Sequence, residues 1–167
     1  MTVERTLAKV DEDLRLGDVE MARTRLRSLV QSLPHRLDAR DRLADVYRLE
    51  GNLVEAGRWS YLGEDRDPEE VAAFERACGD DAVRIMRALR WRGPEDAAGT
   101  EAARQRLLDV RTRAQDKAGR KLDWETSGRE AAGSRRDDLG TVGCLLGALV
   151  LVALMVVGAV TVVGWVL

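Results

Sequence analysis

The sequence predicts an all-α chain: a short array of helical hairpins followed by one C-terminal transmembrane helix. Three observations predict it. Apolar residues recur at helical spacing from Val3 to Leu89, and no comparable run alternates with a period of two. The prolines, Pro34, Pro68 and Pro94, never interrupt that spacing, so each marks a helix boundary. All 27 basic and 29 acidic residues lie at or before Asp138, and the tail beyond it is uncharged.

The first helix is read from Val3, Leu7, Val10 and Leu14, and the second from Val19, Ala22, Leu26, Leu29 and Leu33. Ala39, Leu43, Val46 and Tyr47 make the third face, and Leu53 and Ala56 begin the fourth. A repeat underlies these four. Gly17-Asp18-Val19, Ala22 and Pro34 recur 34 positions later as Gly51-Asn52-Leu53, Ala56 and Pro68. A glycine followed by Asp or Asn ends one helix and caps the next, and the small alanine lets the pair approach closely.

In this period and these residues, positions 1–68 resemble two tetratricopeptide repeats. The second copy is the better one, with Leu43, Ala44 and Tyr47 where that family sets large, small and large residues on helix A. The first departs from it, carrying Lys9, Val10 and Asp13 there. Such repeats need stacked neighbours and a cap, and residues 67–92 can supply both. Asp67-Pro68-Glu69-Glu70 reads as an N-cap, a first-turn proline and a capping glutamate ahead of Val71 and Phe74. Gly79-Asp80 ends that helix and opens another bearing Ala82, Ile85, Met86 and Leu89. The expected helical domain is therefore 1–92.

The layout also resembles an uncharacterised actinobacterial membrane-protein family of unknown function. The stretches Pro34-His35-Arg36-Leu37-Asp38, Tyr47-Arg48 and Gly57-Arg58-Trp59-Ser60-Tyr61-Leu62 carry that likeness. It implies a tetratricopeptide-like N-terminal region and no activity. The use of arginine over lysine, with only Lys9, Lys117 and Lys121, reads as the codon bias of a GC-rich genome.

Residues 93–125 are expected to form a loop and a charged helix with one thin apolar stripe, Ala103, Leu107, Val110, Ala114 and Ala118. Whether this helix docks on the repeats is left open by the pattern. Residues 126–140, rich in Gly and Ser, read as a flexible linker. Residues 141–167 read as the transmembrane helix: from Val142 onward there is no charge, Pro, Asn or Gln, which spans a bilayer core of about 30 Å at about 1.5 Å per residue. The start, Met1-Thr2-Val3-Glu4-Arg5, lacks the apolar region of a signal peptide. The expectation is a tail anchor in the cell membrane, single-pass. Arg135 and Arg136 precede the span and no charge lies beyond it, so the N-terminal domain is expected in the cytoplasm. Gly140, Gly143 and Gly147 place small residues on one side of the span, the close-packing spacing of membrane helix pairs. A passive anchor is the preferred reading, and a homo-oligomer joined through the span is the other.

Composition removes several functions. A net charge of -2 gives no sign of a nucleic-acid protein. Cys78 and Cys144 lie in different segments, so neither a disulfide framework nor a zinc cluster is expected. The sole histidine, His35, has no partner placed by any motif, and Gly79-Asp80-Asp81 sits where a helix must start and is read as a cap. With no phosphate loop, nucleophile elbow or metal cluster, no catalytic residue, cofactor or metal is assigned, and an enzyme is not expected.

The repeat resemblance implies a groove lined by helix A side chains. Carried over residue by residue, it comprises Glu4, Leu7, Asp11, Leu14 and Arg15 in the first copy, and Asp38, Asp41, Asp45 and Arg48 in the second. Its acidity favours a basic or amphipathic protein partner. Arg84, Arg87 and Arg90 share a helix with Ile85, Met86, Leu89 and Trp91; a last repeat helix is preferred there over a surface-lying membrane helix. Two functions are expected from these features: a membrane-tethered protein–protein interaction module, or a small accessory subunit of a membrane complex recognised through its transmembrane helix.

Overall fold

The structure, a computed structural model, describes residues 2–125. These form seven α-helices and one 3-10 turn, with no strand among the described residues. The helices are α1 (Val3–Arg15), α2 (Val19–Ser32), α3 (Leu37–Leu49), α4 (Leu53–Ser60), α5 (Pro68–Ala77), α6 (Ala82–Leu89) and α7 (Glu101–Ala118), with the turn at Glu95–Ala97 between the last two. No helix among the described residues is long and apolar enough to cross a membrane. The apolar run 142–167, with Gly140, Gly143 and Gly147, lies outside the described residues.

The 34-residue period is built into the backbone. Gly17 and Gly51 both take left-handed φ, 78° and 70°, a conformation that any other residue adopts at a cost of about 1 kcal/mol or more. Each glycine closes the same pair of bonds. The Gly17 N–H donates to Leu14 O and the Asp18 N–H to Asp13 O, as Gly51 does to Arg48 O and Asn52 to Tyr47 O. Asp18 then accepts from the Met21 N–H and Asn52 from the Glu55 N–H, both at 3.0 Å. Ala22 and Ala56 sit one turn later, fully buried where the helices of each hairpin meet.

Consecutive helices pack in order from α1 through α5, after which α6 lies against α4 and α7. Two apolar clusters result. The first gathers Val10, Leu26, Leu43, Val46 and Trp59 from α1–α4; the second gathers Leu62, Phe74, Ile85, Met86, Trp91, Leu107 and Val110 from α5–α7 and their flanking turns. Residues 100–125 therefore dock. Ala103, Leu107, Val110 and Ala114 of the predicted stripe are buried, whereas Ala118 is exposed at the helix end. Leu122 and Trp124 complete the second cluster, and the Trp124 indole donates to the buried carboxylate of Glu95 at 2.8 Å. Arg111 pairs with the same carboxylate at 2.8 Å.

Two contacts tie the halves together. At Gly57 the backbone of α5 passes so close that a Cβ would lie 1.9 Å from Glu70 O, so only glycine fits there. The fully buried Arg40 donates to Leu89 O at 2.7 Å and to Pro34 O at 3.3 Å, and Arg58 donates to Ala88 O at 2.7 Å. Two arginines thus satisfy carbonyls that the end of α6 leaves without helical partners, and both stack on Trp59. Burial, reinforced by the charge of Arg58, pulls the Arg40 pKa down to about 9, which leaves it a cation at neutral pH.

The helix-capping expectations need two adjustments. Asp67 does cap α5, accepting from Glu69 and Glu70 N–H groups at 2.7 and 3.4 Å. Glu70, read from the sequence as the reciprocal cap, instead turns inward to Arg48, because a carboxylate buried between α4 and α5 requires a cation. At α6 the cap is Asp81, which accepts from Val83 and Arg84 N–H groups at 2.8 and 3.1 Å, while Asp80 takes left-handed φ in the preceding turn.

Candidate interaction surface

Most of the charged residues expected in a partner groove are engaged within the chain. Asp11 on α1 pairs with Arg42 on α3. Arg15 pairs with Glu12 one turn back. Asp38 accepts two bonds from Arg36, at 2.9 and 2.6 Å, and that guanidinium holds its carboxyl below the usual range. Arg48 grips the buried Glu70 through two bonds of 2.6 and 2.7 Å and reaches Asp45 at 2.7 Å. Asp41 is half-buried beside Gly63, and burial, with Asp45 nearby, raises its pKa. Leu7 and Leu14 pack against the first apolar cluster, and Glu4 is exposed. The structure therefore brings Asp41, Asp45 and Arg48 together on α3, where Arg48 fastens α5.

The same inward use of side chains holds on α6. Its apolar face, Ala82, Ile85, Met86 and Leu89, is buried in the second cluster together with Trp91. His35 is exposed and meets the Trp91 ring edge-on at 6.1 Å. Among the described residues no group of His, Cys, Asp and Glu has the grouping to hold a metal.

A different surface stands out. Five large apolar side chains are exposed among the described residues: Leu16 (67%), Met21 (41%), Leu49 (68%), Leu53 (46%) and Val54 (36%). All five flank the glycine turns of the first two hairpins. Because α1/α2 and α3/α4 are consecutive antiparallel hairpins, both turns lie at one end of the array. An ion pair between Arg23 on α2 and Glu50 beside the second turn, 2.5 Å, links them. Around this apolar end stand Glu12, Asp18, Glu20, Glu50 and Glu55, against Arg15 and Arg23. Those arginines pair with Glu12 and Glu50, and Arg58 pairs with Glu55 at 3.2 Å, so Asp18 and Glu20 leave the rim net acidic.

Periodicity alone passes over this end. Leu16 and Leu49 each fall two residues beyond the last buried-face position of their helix, Leu14 and Tyr47, and thus off the apolar stripe. The available signal was that misfit: a leucine one or two residues before a helix-ending glycine, where a polar residue would serve the turn equally well.

Fold and surface together define a class, an all-α domain of stacked antiparallel hairpins with one apolar end. The chain belongs to the family of unknown function DUF6584, which matches residues 1–164. No curated protein and no solved structure matches it.

Proposed function

We propose that this chain is a membrane-tethered interaction module of tetratricopeptide-like hairpins, which recognises a partner segment at the apolar end formed by Leu16, Met21, Leu49, Leu53 and Val54. The observation that carries the reading is the gathering of these exposed apolar side chains around two equivalent turns. Exposed leucines scattered singly need no explanation, but a contiguous patch with a polar rim has the character of an interaction site. The acidic rim favours a basic amphipathic segment, whose cations would meet Asp18 and Glu20 while its apolar face covers the leucines.

The tether is the uncharged run 142–167, which has the length and composition of a single membrane span. Arg135 and Arg136 favour a cytoplasmic position for the helical domain. The repeated Gly17 and Gly51 turns, with Ala22 and Ala56 at the hairpin crossings, support the tetratricopeptide likeness.

A photo-crosslinking side chain at Leu49, compared with one at exposed Gln31 on the far part of α2, tests the proposal in native membranes. The expected result is a discrete adduct from position 49 only, lost when Leu16 and Leu53 are changed to serine. Equal labelling from both positions would overturn the assignment of this end. An adduct that survives those changes but vanishes when residues 142–167 are exchanged for an unrelated span would favour the accessory-subunit reading instead.

A further inference from the structure

A second surface, independent of the apolar end, lies between α5 and α7. There the two helices leave a groove of about 540 Å³ whose walls include Tyr61, Arg66, Val71, Glu75, Arg106, Asp109 and Arg113. Its three arginines are not alike. Arg113 is already compensated, with Asp109 at 3.0 Å and Glu75 at 3.9 Å. The Tyr61 hydroxyl donates to Glu75 at 2.8 Å, and burial raises the Tyr61 pKa to about 12, so it remains a neutral donor.

Arg66 and Arg106 differ. Arg106 donates to the carbonyls of Leu62 and Gly63, and Arg66 lies over the Tyr61 ring, 5.5 Å from its centroid. Neither makes an ion pair with a carboxylate among the described residues. Burial and the charge of Arg66 both act to lower the Arg106 pKa. Two like charges thus share a groove, with Glu64 near enough to act on Arg106 but forming no ion pair with either, and stacking on Tyr61 leaves the edge N–H groups of Arg66 available for a planar acceptor.

We infer that this groove is a docking site for an acidic peptide segment, with one carboxylate held between Arg66 and Arg106. Charge complementarity selects the occupant. One carboxylate relieves the repulsion between the two arginines with a single charge, whereas a phosphate dianion would bring twice that charge against Glu75 and Asp109 in the same groove. An anionic membrane surface would press the exposed Glu64 and Asp65, which flank Arg66, against its phosphates. The volume exceeds that of a lone ion and suits a short stretch of side chains.

The test is fluorescence anisotropy of the full chain, held in uncharged detergent micelles, with a labelled pentapeptide of alternating leucine and glutamate. Saturable binding is expected, weakened about tenfold or more by Arg66→Gln and likewise by replacing the peptide glutamates with glutamine. Arg66 makes no backbone bond, so this variant should keep its melting temperature, whereas Arg106→Gln also removes the bonds to Leu62 and Gly63. Equal binding of the glutamine peptide, or none by either peptide, would overturn the inference. So would full displacement by equimolar inorganic phosphate, or a loss of peptide binding on adding phosphatidylglycerol vesicles that themselves capture the chain through Arg66. Leu16→Ser and Leu53→Ser should leave this binding unchanged, which separates it from the apolar end.

Discussion

The two halves of the helical unit solve the same packing problem in different ways. In α1–α4 the solution is periodic: equivalent glycines, caps and alanines recur 34 residues apart, and the core consists mainly of aliphatic side chains at helical spacing. In α5–α7 the glycine turn recurs once, at Gly79, whose N–H donates to Arg76 O while the Asp80 N–H donates to Glu75 O, but 28 residues after Gly51 rather than 34, and the packing around it does not repeat. That core is closed by Trp91, Trp124 and Phe74, by a buried Glu95 shared between Trp124 and Arg111, and by a 3-10 turn. The periodic half leaves its turn end apolar, and the aperiodic half leaves a charged groove. The regular packing repeats its buried positions and not its exposed ones: 34 residues from Leu16, Met21, Leu49 and Val54 stand Glu50, Glu55, Arg15 and Glu20.

The most damaging way to break this arrangement acts at the seam between the halves. Gly57→Ala would place a Cβ 1.9 Å from the backbone oxygen of Glu70, which cannot move without shifting α5. The expected destabilisation is about 3 kcal/mol, at the upper end for overpacking. Urea unfolding followed by circular dichroism measures it, and a loss under about 1 kcal/mol would mean that the helix crossing is looser than described. Next in size is Arg48→Met. It leaves the buried Glu70 carboxylate without its two strongest bonds, and a loss of about 2 kcal/mol is expected. The double variant Arg48→Met, Glu70→Leu should recover part of that loss, since the uncompensated charge is then gone.

Both sites bear on what the sequence made legible. The six helices before Pro94 and the charged helix after it come from apolar spacing and from Gly, Pro, Asp and Asn punctuation, which act locally. The docking of α7 does not, because a thin stripe such as Ala103, Leu107, Val110 and Ala114 reads the same whether it packs or stands apart. Arg48 was legible as a surface residue of α3, but its partner Glu70 lies 22 positions away on another helix, and such pairing has no sequence period. Gly57 gave no turn signal at all. Its role depends on a helix crossing, which only the assembled chain defines.

A smaller effect sharpens the periodicity itself. Gly17 and Gly51 hold equivalent left-handed positions with nothing within 4 Å of an added Cβ. Gly17→Ala and Gly51→Ala should therefore each cost about 1 kcal/mol through backbone strain alone, and their effects should add. Unequal values in urea unfolding would show that the two turns are related only in sequence. Leu16→Ser, on a side chain 67% exposed, should shift stability by less than about 0.5 kcal/mol while weakening the crosslink from position 49.

The smallest expected effect compares the halves through acid. In α7, hydrogen bonds from Arg104 and Gln105 hold the Glu101 carboxyl down to about 2, and Lys117 holds Asp81 below its ordinary value at the start of α6. A carboxyl whose folded pKa is depressed stabilises above its unfolded value and loses that contribution as pH falls toward the folded one. Both groups therefore act in one direction, between the ordinary 4.5 of a glutamate and about 2 for Glu101. On α3 the signs oppose: Arg36 lowers Asp38, whereas burial raises Asp41. As pH falls, protonating Asp41 relieves a buried charge above the ordinary aspartate value of 3.8, and protonating Asp38 breaks an ion pair below it. Amide hydrogen exchange at decreasing pH should show α7 and the first turn of α6 losing protection relative to α3, after correction for intrinsic rates. Arg104→Gln should flatten that pH dependence in α7 and leave α3 unaltered. Protection lost first from α3 would mean that Asp38 outweighs Asp41, and that the periodic half is the acid-sensitive one.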